Sequence, residues 1–197
     1  DRHFSDKSSE FLPQEENDLR STFLLLCDSI VDRIKDVKTG NDYFIDSYAV
    51  RSLCVAYDMT GNQKYLDGSI SWSKQMATNQ EKMIPARVYY MNYERKPGEE
   101  KGDWFVADCS CIAIGVLTTA VRCKETERDY LLQSVEKFAG IVVDNYIGPS
   151  GGICNGGWSE FKGEWWCSSG LFGSLLFMLY ETTGNQKYLD AALSNIG

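Results

Sequence analysis

"TGNQKYLD" occupies residues 60–67, and the same eight letters return at 183–190. Each copy follows an apolar run, "DSYAVRSLCVAYDM" at 46–59 and "SSGLFGSLLFMLYET" at 168–182. Both runs are apolar around most of a helical circumference, the pattern of a helix covered on all sides. Gly61 and Gly184 then fall where a left-handed residue closes a helix, and Asn62 and Asn185 where the next one is capped. The octapeptide therefore predicts the turn of an αα-hairpin. Behind the first copy, Tyr65, Leu66, Ile70 and Met76 recur near helical spacing among polar residues. The second helix of each pair thus has one dry face and packs outside the first.

A diverged third copy lies between these two. "WFVADCSCIAIGVLTTAVRC" (104–123) reads as a buried helix, and "KETERDYLLQSVEKFAGIVV" (124–143) as a turn followed by an amphipathic one, with Thr126 expected at its N-cap. With Tyr65, Tyr130 and Tyr188 in register, the repeats step by 65 and 58 residues, one hairpin plus a connection each. Upstream, "NDLRSTFLLLCDSIVDRIKDV" places Phe23, Leu26, Ile30 and Ile34 on one side of another outer helix. Residues 1–17 read as a polar leader and 18–197 as one array, ordered outer, inner, outer, inner, outer, inner, outer.

Composition narrows the chemistry. The chain has 197 residues and 43% hydrophobic content, enough for a sizeable core. Its formal net charge of −8 repels phosphate backbones and anionic membranes, and no basic patch offsets it, so neither is an expected partner. The longest apolar stretches, "CIAIGVL" and "LFGSLLFMLY", fall short of the roughly 20 residues that cross a bilayer, which makes a soluble protein the expectation. The sequence has a single histidine, His3, so imidazole-based nucleophile activation and His-rich metal sites lack their residues. Proton transfers fall to carboxylates, tyrosine or lysine, and no cofactor is expected. The seven cysteines are odd in number and mostly sit in apolar helical patterns, where they read as buried thiols. Cys109-Ser-Cys111 lacks zinc-knuckle spacing.

Alternating inner and outer helices joined by "TG-x-x-KYL" turns resemble the (α/α) toroid of the six-hairpin glycosidases, nearest to the unsaturated glucuronyl and rhamnogalacturonyl hydrolases. The resemblance spans most of residues 18–196. It implies an all-α, partial toroid-like array of about three to three and a half hairpins. A full ring of this class has six hairpins. The missing half would come from the same chain or from a homodimer that closes the ring; otherwise an open arc exposes apolar faces that need a partner.

In such toroids the substrate lies over the N-terminal ends of the inner helices. Three stretches enter those helices here: "NDYFIDSY" (41–48), "GDWFVADCS" (102–110) and "GGICNGGWSEFKGEWWCSS" (151–169). Each combines carboxylates with aromatic rings. Glycosidic chemistry needs a carboxylic acid with a raised pKa, and a second carboxylate to polarise water or stabilise positive charge. Asp108, among Val106, Ala107 and Ile112, is the first candidate for the acid, with an N-cap as its alternative role. Asp46 is the second, with an N-cap or an ion pair to Arg51 as alternatives. Asp103 reads as a solvated turn residue. Glu160 and Glu164 are further carboxylates in the Gly/Trp segment. Trp104, Trp158, Trp165 and Trp166 form a sugar platform or plug the barrel end. Arg87, near Tyr89, Tyr90 and Tyr93, binds a uronate carboxylate through its fork or makes a structural salt bridge.

The resemblance implies a carbohydrate-active enzyme, a glycoside hydrolase acting on unsaturated uronyl oligosaccharides, with the acid role carried to Asp108 or Asp46. Toroidal sugar epimerases resemble one another in using paired histidines, which are missing here. Two alternatives stay open: a tyrosine-dependent polysaccharide lyase, given eleven tyrosines, and a non-catalytic helical-repeat module that binds glycans or protein. Free thiols lean toward the cytoplasm, while proteins of this type also occur in the periplasm or outside the cell.

Overall fold

Both octapeptides fold as hairpin turns, letter for letter, in a computed structural model that describes residues 14–34, 42–83, 87–91, 104–156 and 163–195. Gly61 and Gly184 take φ of 68° and 69° and donate their N–H to the Tyr57 and Tyr180 carbonyls at 2.7 and 2.8 Å. The Asn62 and Asn185 side chains accept from the N–H of Lys64 and Lys187 at 3.2 and 3.1 Å. Across each joint, the Thr60 and Thr183 hydroxyls donate to the Ala56 and Leu179 carbonyls and accept from the N–H of Asn62 and Asn185. Gln63 bonds Asp67 and Gln186 bonds Asp190, both at 2.9 Å and one helical turn apart. Tyr65 and Lys64 reach Asp28 on the preceding outer helix, while Tyr188 and Lys187 reach Glu136 and Asp144. Every polar letter has a bond that recurs, which is the physical reason for writing the octapeptide twice.

The two glycines permit a clean test. A Cβ at Gly61 or Gly184 would meet nothing within 4 Å, so alanine there costs only the left-handed backbone. Gly61→Ala and Gly184→Ala should each lose about 1 kcal/mol of stability in urea unfolding, and the losses should add because the turns share no contacts.

Among the described residues the chain forms seven helices: α1 (Gln14–Ile34), α2 (Tyr43–Thr60), α3 (Gln63–Gln80), α4 (Val106–Ala120), α5 (Glu125–Asn145), α6 (Trp166–Thr183) and α7 (Gln186–Ser194). Strand pairing there is limited to isolated bridges, Phe105–Gly156, Ile147–Ile153 and Cys154–Glu164. The fold is all-α. Helix α4 packs between α2 and α6 in an inner row, α3 lies against α1 and α5 in an outer row, and α2–α3, α4–α5 and α6–α7 are the hairpins. This is a partial toroid-like array. None of the described helices is long and apolar enough to cross a membrane.

The inner and outer rows meet in a core that includes Trp72, Phe138, Phe172, Leu53 and Ile112. Gly115 lets α4 approach closely: a Cβ there would stand 3.2 Å from the Ser47 Cβ and 3.3 Å from the Trp72 ring. The expectation that inner helices are covered on all sides holds for α4, where only Asp108 and Thr118 are not buried. Helix α2 instead exposes Ile45, Tyr48, Val55 and Met59, because it has an inner neighbour on one side only.

Three local readings change. Lys124, not Thr126, stands at the N-cap of α5. Tyr130 is then the sixth residue of its helix and 37% exposed, whereas Tyr65 is the third of α3 and buried, so the diverged copy is out of register by almost a turn. On α1 the packed seam runs through Cys27, Val31 and Ile34, leaving Leu26 at 60% exposure. All seven cysteines are free thiols; Cys27, Cys54, Cys109 and Cys111 are buried, and Cys167 is exposed.

Candidate active site at the inner-helix entrances

The entrances of α4 and α6 are tied together by Asn155. Its carbonyl accepts the Val106 N–H at 2.9 Å, and its side-chain oxygen accepts the Ser168 hydroxyl at 2.6 Å and the Ala107 N–H at 3.5 Å. A single buried amide thus satisfies orphan donors at the start of α4 while gripping the first turn of α6. Next to it, Gly156 takes φ of 113°, and a Cβ there would stand 2.8 Å from the Trp104 carbonyl oxygen. Only glycine fits that approach.

Asp108 is the third residue of α4; Phe105, not Asp108, occupies the N-cap. In a helix otherwise buried, Asp108 and Thr118 lie on the one stripe that reaches solvent, with Cys111 between them at helical spacing. Facing this stripe from α2, the Tyr48 hydroxyl lies 3.5 Å from the Cys111 sulfur, and the Arg51 guanidinium stacks 4.3 Å over the Tyr48 ring. Burial pushes the Cys111 thiol up and the charge of Asp108 adds to the rise, while the Tyr48 hydrogen bond and Arg51 pull it back; Cys167 of α6 also acts on it. A carboxyl, a phenol and a guanidinium from two inner helices therefore all act on Cys111, as does Cys167 at the start of the third. Sequence reading singled out Asp108 but gave Tyr48 and Arg51 no role in the chemistry; the signal was their spacing of three on one helical face.

The other candidates are dispersed. Asp46 is 3% exposed and turned toward α1, where it accepts from Arg33 at 3.4 Å; the expected partner Arg51 stacks on Tyr48 instead. Trp104 is 1% exposed and packs edge-on against Tyr146 at 4.9 Å, a plug with no open ring face. Trp165 and Trp166, by contrast, are 38% and 96% exposed at the α6 entrance. Glu164 holds the turn before α6: its oxygens accept the Ser150 N–H at 3.0 Å and the Ser150 hydroxyl, and these bonds keep its carboxyl below the ordinary range. Arg87 lies apart from Asp108, lining a surface depression with Glu81 and Glu136. Trp158, Glu160, Asp103 and Tyr93 lie outside the described residues.

Asp46 sets a pH dependence. Burial raises its carboxyl above the usual range, Arg33 opposes the rise and Asp42 adds to it. The folded chain then holds a proton that the unfolded chain has released, so this contribution to stability is complete below the unfolded pKa of about 3.9 and is lost as pH rises through the folded value. Asp46→Asn should flatten that part of the profile of melting temperature against pH.

The sequence matches no family model and no curated protein. Among solved structures, a polysaccharide lyase matches with a TM-score of 0.58 and 16% identity, over 81% of this chain and 49% of that one. The chain thus spans about half the length of that lyase, and the likeness is one of fold.

Proposed function

We propose that the entrances of α2, α4 and α6 form the catalytic wall of a carbohydrate-active enzyme, a glycoside hydrolase acting on oligosaccharides with an unsaturated uronyl end. Asp108 carries this reading: a carboxyl in the first turn of the central inner helix, on its one solvent-reaching stripe, acting on the same Cys111 that Tyr48 and Arg51 reach from α2. The likeness in fold to a polysaccharide lyase supports a carbohydrate substrate. Asp108 protonates C4 of the C4=C5 double bond; water then adds its oxygen at C5 and returns a proton to the carboxylate, the C5 hemiketal opens its ring bond to a ketone, and the hemiacetal left at C1 collapses to an aldehyde, its hydroxyl proton leaving with the neighbouring sugar as an alcohol. Arg51 offers a cation to the uronate carboxylate, and Trp165 and Trp166 offer ring faces to the sugar.

The same likeness favours a second reading, β-elimination by a tyrosine-dependent lyase, with Tyr48 removing the C5 proton. The hydrogen bond to Cys111 pushes the Tyr48 hydroxyl above the usual phenol range, against the pull of Arg51. That direction keeps the proton on Tyr48, which suits donation better than abstraction. Ultraviolet absorbance of the conjugated uronate separates the readings. It falls when an unsaturated disaccharide is hydrolysed and rises when an intact polyuronate is cleaved by elimination. Indole fluorescence that responds to the disaccharide without either change marks a binding module. If absorbance and fluorescence both stay flat, the carbohydrate assignment fails.

A further inference from the structure

Toward the ends of the inner helices remote from Asp108, two thiols bond one residue. The Cys54 sulfur of α2 lies 3.7 Å from the Thr119 hydroxyl of α4, and the Cys123 thiol donates to the Thr119 carbonyl at 3.3 Å. Thr119 spends its own proton on the Gly115 carbonyl at 3.0 Å and accepts from Ser73 of α3, so in the contact with Cys54 the thiol is the donor. Cys27, Cys109 and Cys111 instead reach three separate residues, Ser52, Tyr89 and Tyr48. Cys54 is fully buried, whereas Cys123 is partly exposed in the short corner between α4 and α5, outside either helix. A surface pocket of about 470 Å³ has Cys123 in its lining, with Lys74, Arg122 and Lys124 against Asp67 and Glu127.

We propose that Cys54 and Cys123 are a redox modification site, a thiol pair that a small anionic disulfide of the glutathione type converts to a bond tying α2 to the α4–α5 corner. The pocket admits the reagent to Cys123 and not to Cys54. Cys123 attacks as the thiolate, forming a mixed disulfide and expelling one glutathione thiolate; Cys54, deprotonated in its turn, attacks the Cys123 sulfur and expels the second. The pair gives up two electrons and two protons, and the reagent leaves as two thiols. Movement falls on Cys123, because residues 121–123 form a turn that shifts without unwinding a helix. Burial pushes both thiols up, Cys123 to about 11; Glu127 and Cys54 add to the rise on Cys123 and Lys74 opposes it, while Thr119, Ser69 and Arg122 oppose the rise on Cys54 and Asp58 adds to it. Exchange should therefore be slow near pH 7 and gain about tenfold per pH unit up to roughly pH 9. The inference is independent of what Asp108 does.

The test is to incubate the reduced chain with oxidised glutathione at about pH 8.5, where more thiolate is present, then alkylate the remaining thiols, digest and map the products by mass. A cross-link between the Cys54 and Cys123 peptides is expected, reversed by dithiothreitol. The cross-linked chain should melt about 4 °C or more above the reduced one, because the bond closes a long loop. Cys54→Ala should stop at a glutathione adduct on Cys123. Cys123→Ala, at a partly exposed position, should leave Cys54 unmodified in the folded chain, and it alone fixes the order of attack if Cys54→Ala folds poorly. The proposal is overturned if no Cys54–Cys123 cross-link forms, if Cys111 and Cys167 form the bond instead, if Cys54 reacts as fast in Cys123→Ala, or if the cross-linked chain melts below the reduced one.

Discussion

Replacing Asp108 with Asn should lower turnover of an unsaturated uronyl disaccharide by about 10²- to 10⁴-fold, the range a positioned general acid contributes. Asn keeps the volume and shape of the carboxyl and removes only the proton it delivers, so KM should change little. Stability should change little as well. Asp108 is neither an N-cap nor buried, and a carboxylate in a first helical turn is worth a few tenths to about 1 kcal/mol through the helix dipole. The expected signature is thus a fall in kcat with KM and melting temperature nearly constant, read from the absorbance of the double bond. Asp46→Asn is the matched comparison. Asp46 also sits in the first turn of an inner helix, yet it is buried against Arg33 on the outer side, and its removal should spare most of the turnover. If Asp108→Asn turns over at the parent rate, Asp108 has no part in the chemistry.

The contrast between these two aspartates shows what the sequence carries and what it does not. Hairpin order was legible because each letter of the octapeptide makes a local bond, from the left-handed Gly61 to the Asn62 cap, and local bonds need no knowledge of distant chain. Which side of an inner helix stays open depends on its neighbours. Asp46 and Asp108 follow the same kind of aromatic-apolar stretch, and only the packing of α1 against one and the open stripe on the other separates them. The indoles behave likewise: Trp104 and Trp166 both mark helix entrances, but Gly156 and Tyr146 close over the first. The role of Asn155 is not legible in the sequence, because its bonds run to residues 13 and 48 positions away, a reach no spacing pattern encodes.

Trp72→Ala should be the most destabilising single change in the described core, at about 3–5 kcal/mol. Against a total stability of roughly 5–15 kcal/mol for a domain, that is a large fraction. Trp72 is fully buried on α3, and its ring forms part of the wall against which Gly115 brings α4 toward Ser47 of α2. Removing it opens a cavity between outer and inner rows that side chains around a helix-to-helix approach this close cannot fill without moving a backbone. Trp72→Phe should cost distinctly less. Its ring refills most of the space, and the change removes a buried indole N–H that finds no acceptor among the described residues. The pair also tests whether the inner face depends on this packing. If Trp72 holds α4 against α2, Trp72→Ala measured at a temperature where it is still folded should turn over more slowly than Trp72→Phe, because the Asp108 stripe and the Tyr48–Arg51 pair would no longer face each other in register. A urea midpoint shift for Trp72→Ala no larger than that for Gly61→Ala would show that Trp72 is not the wedge between the rows.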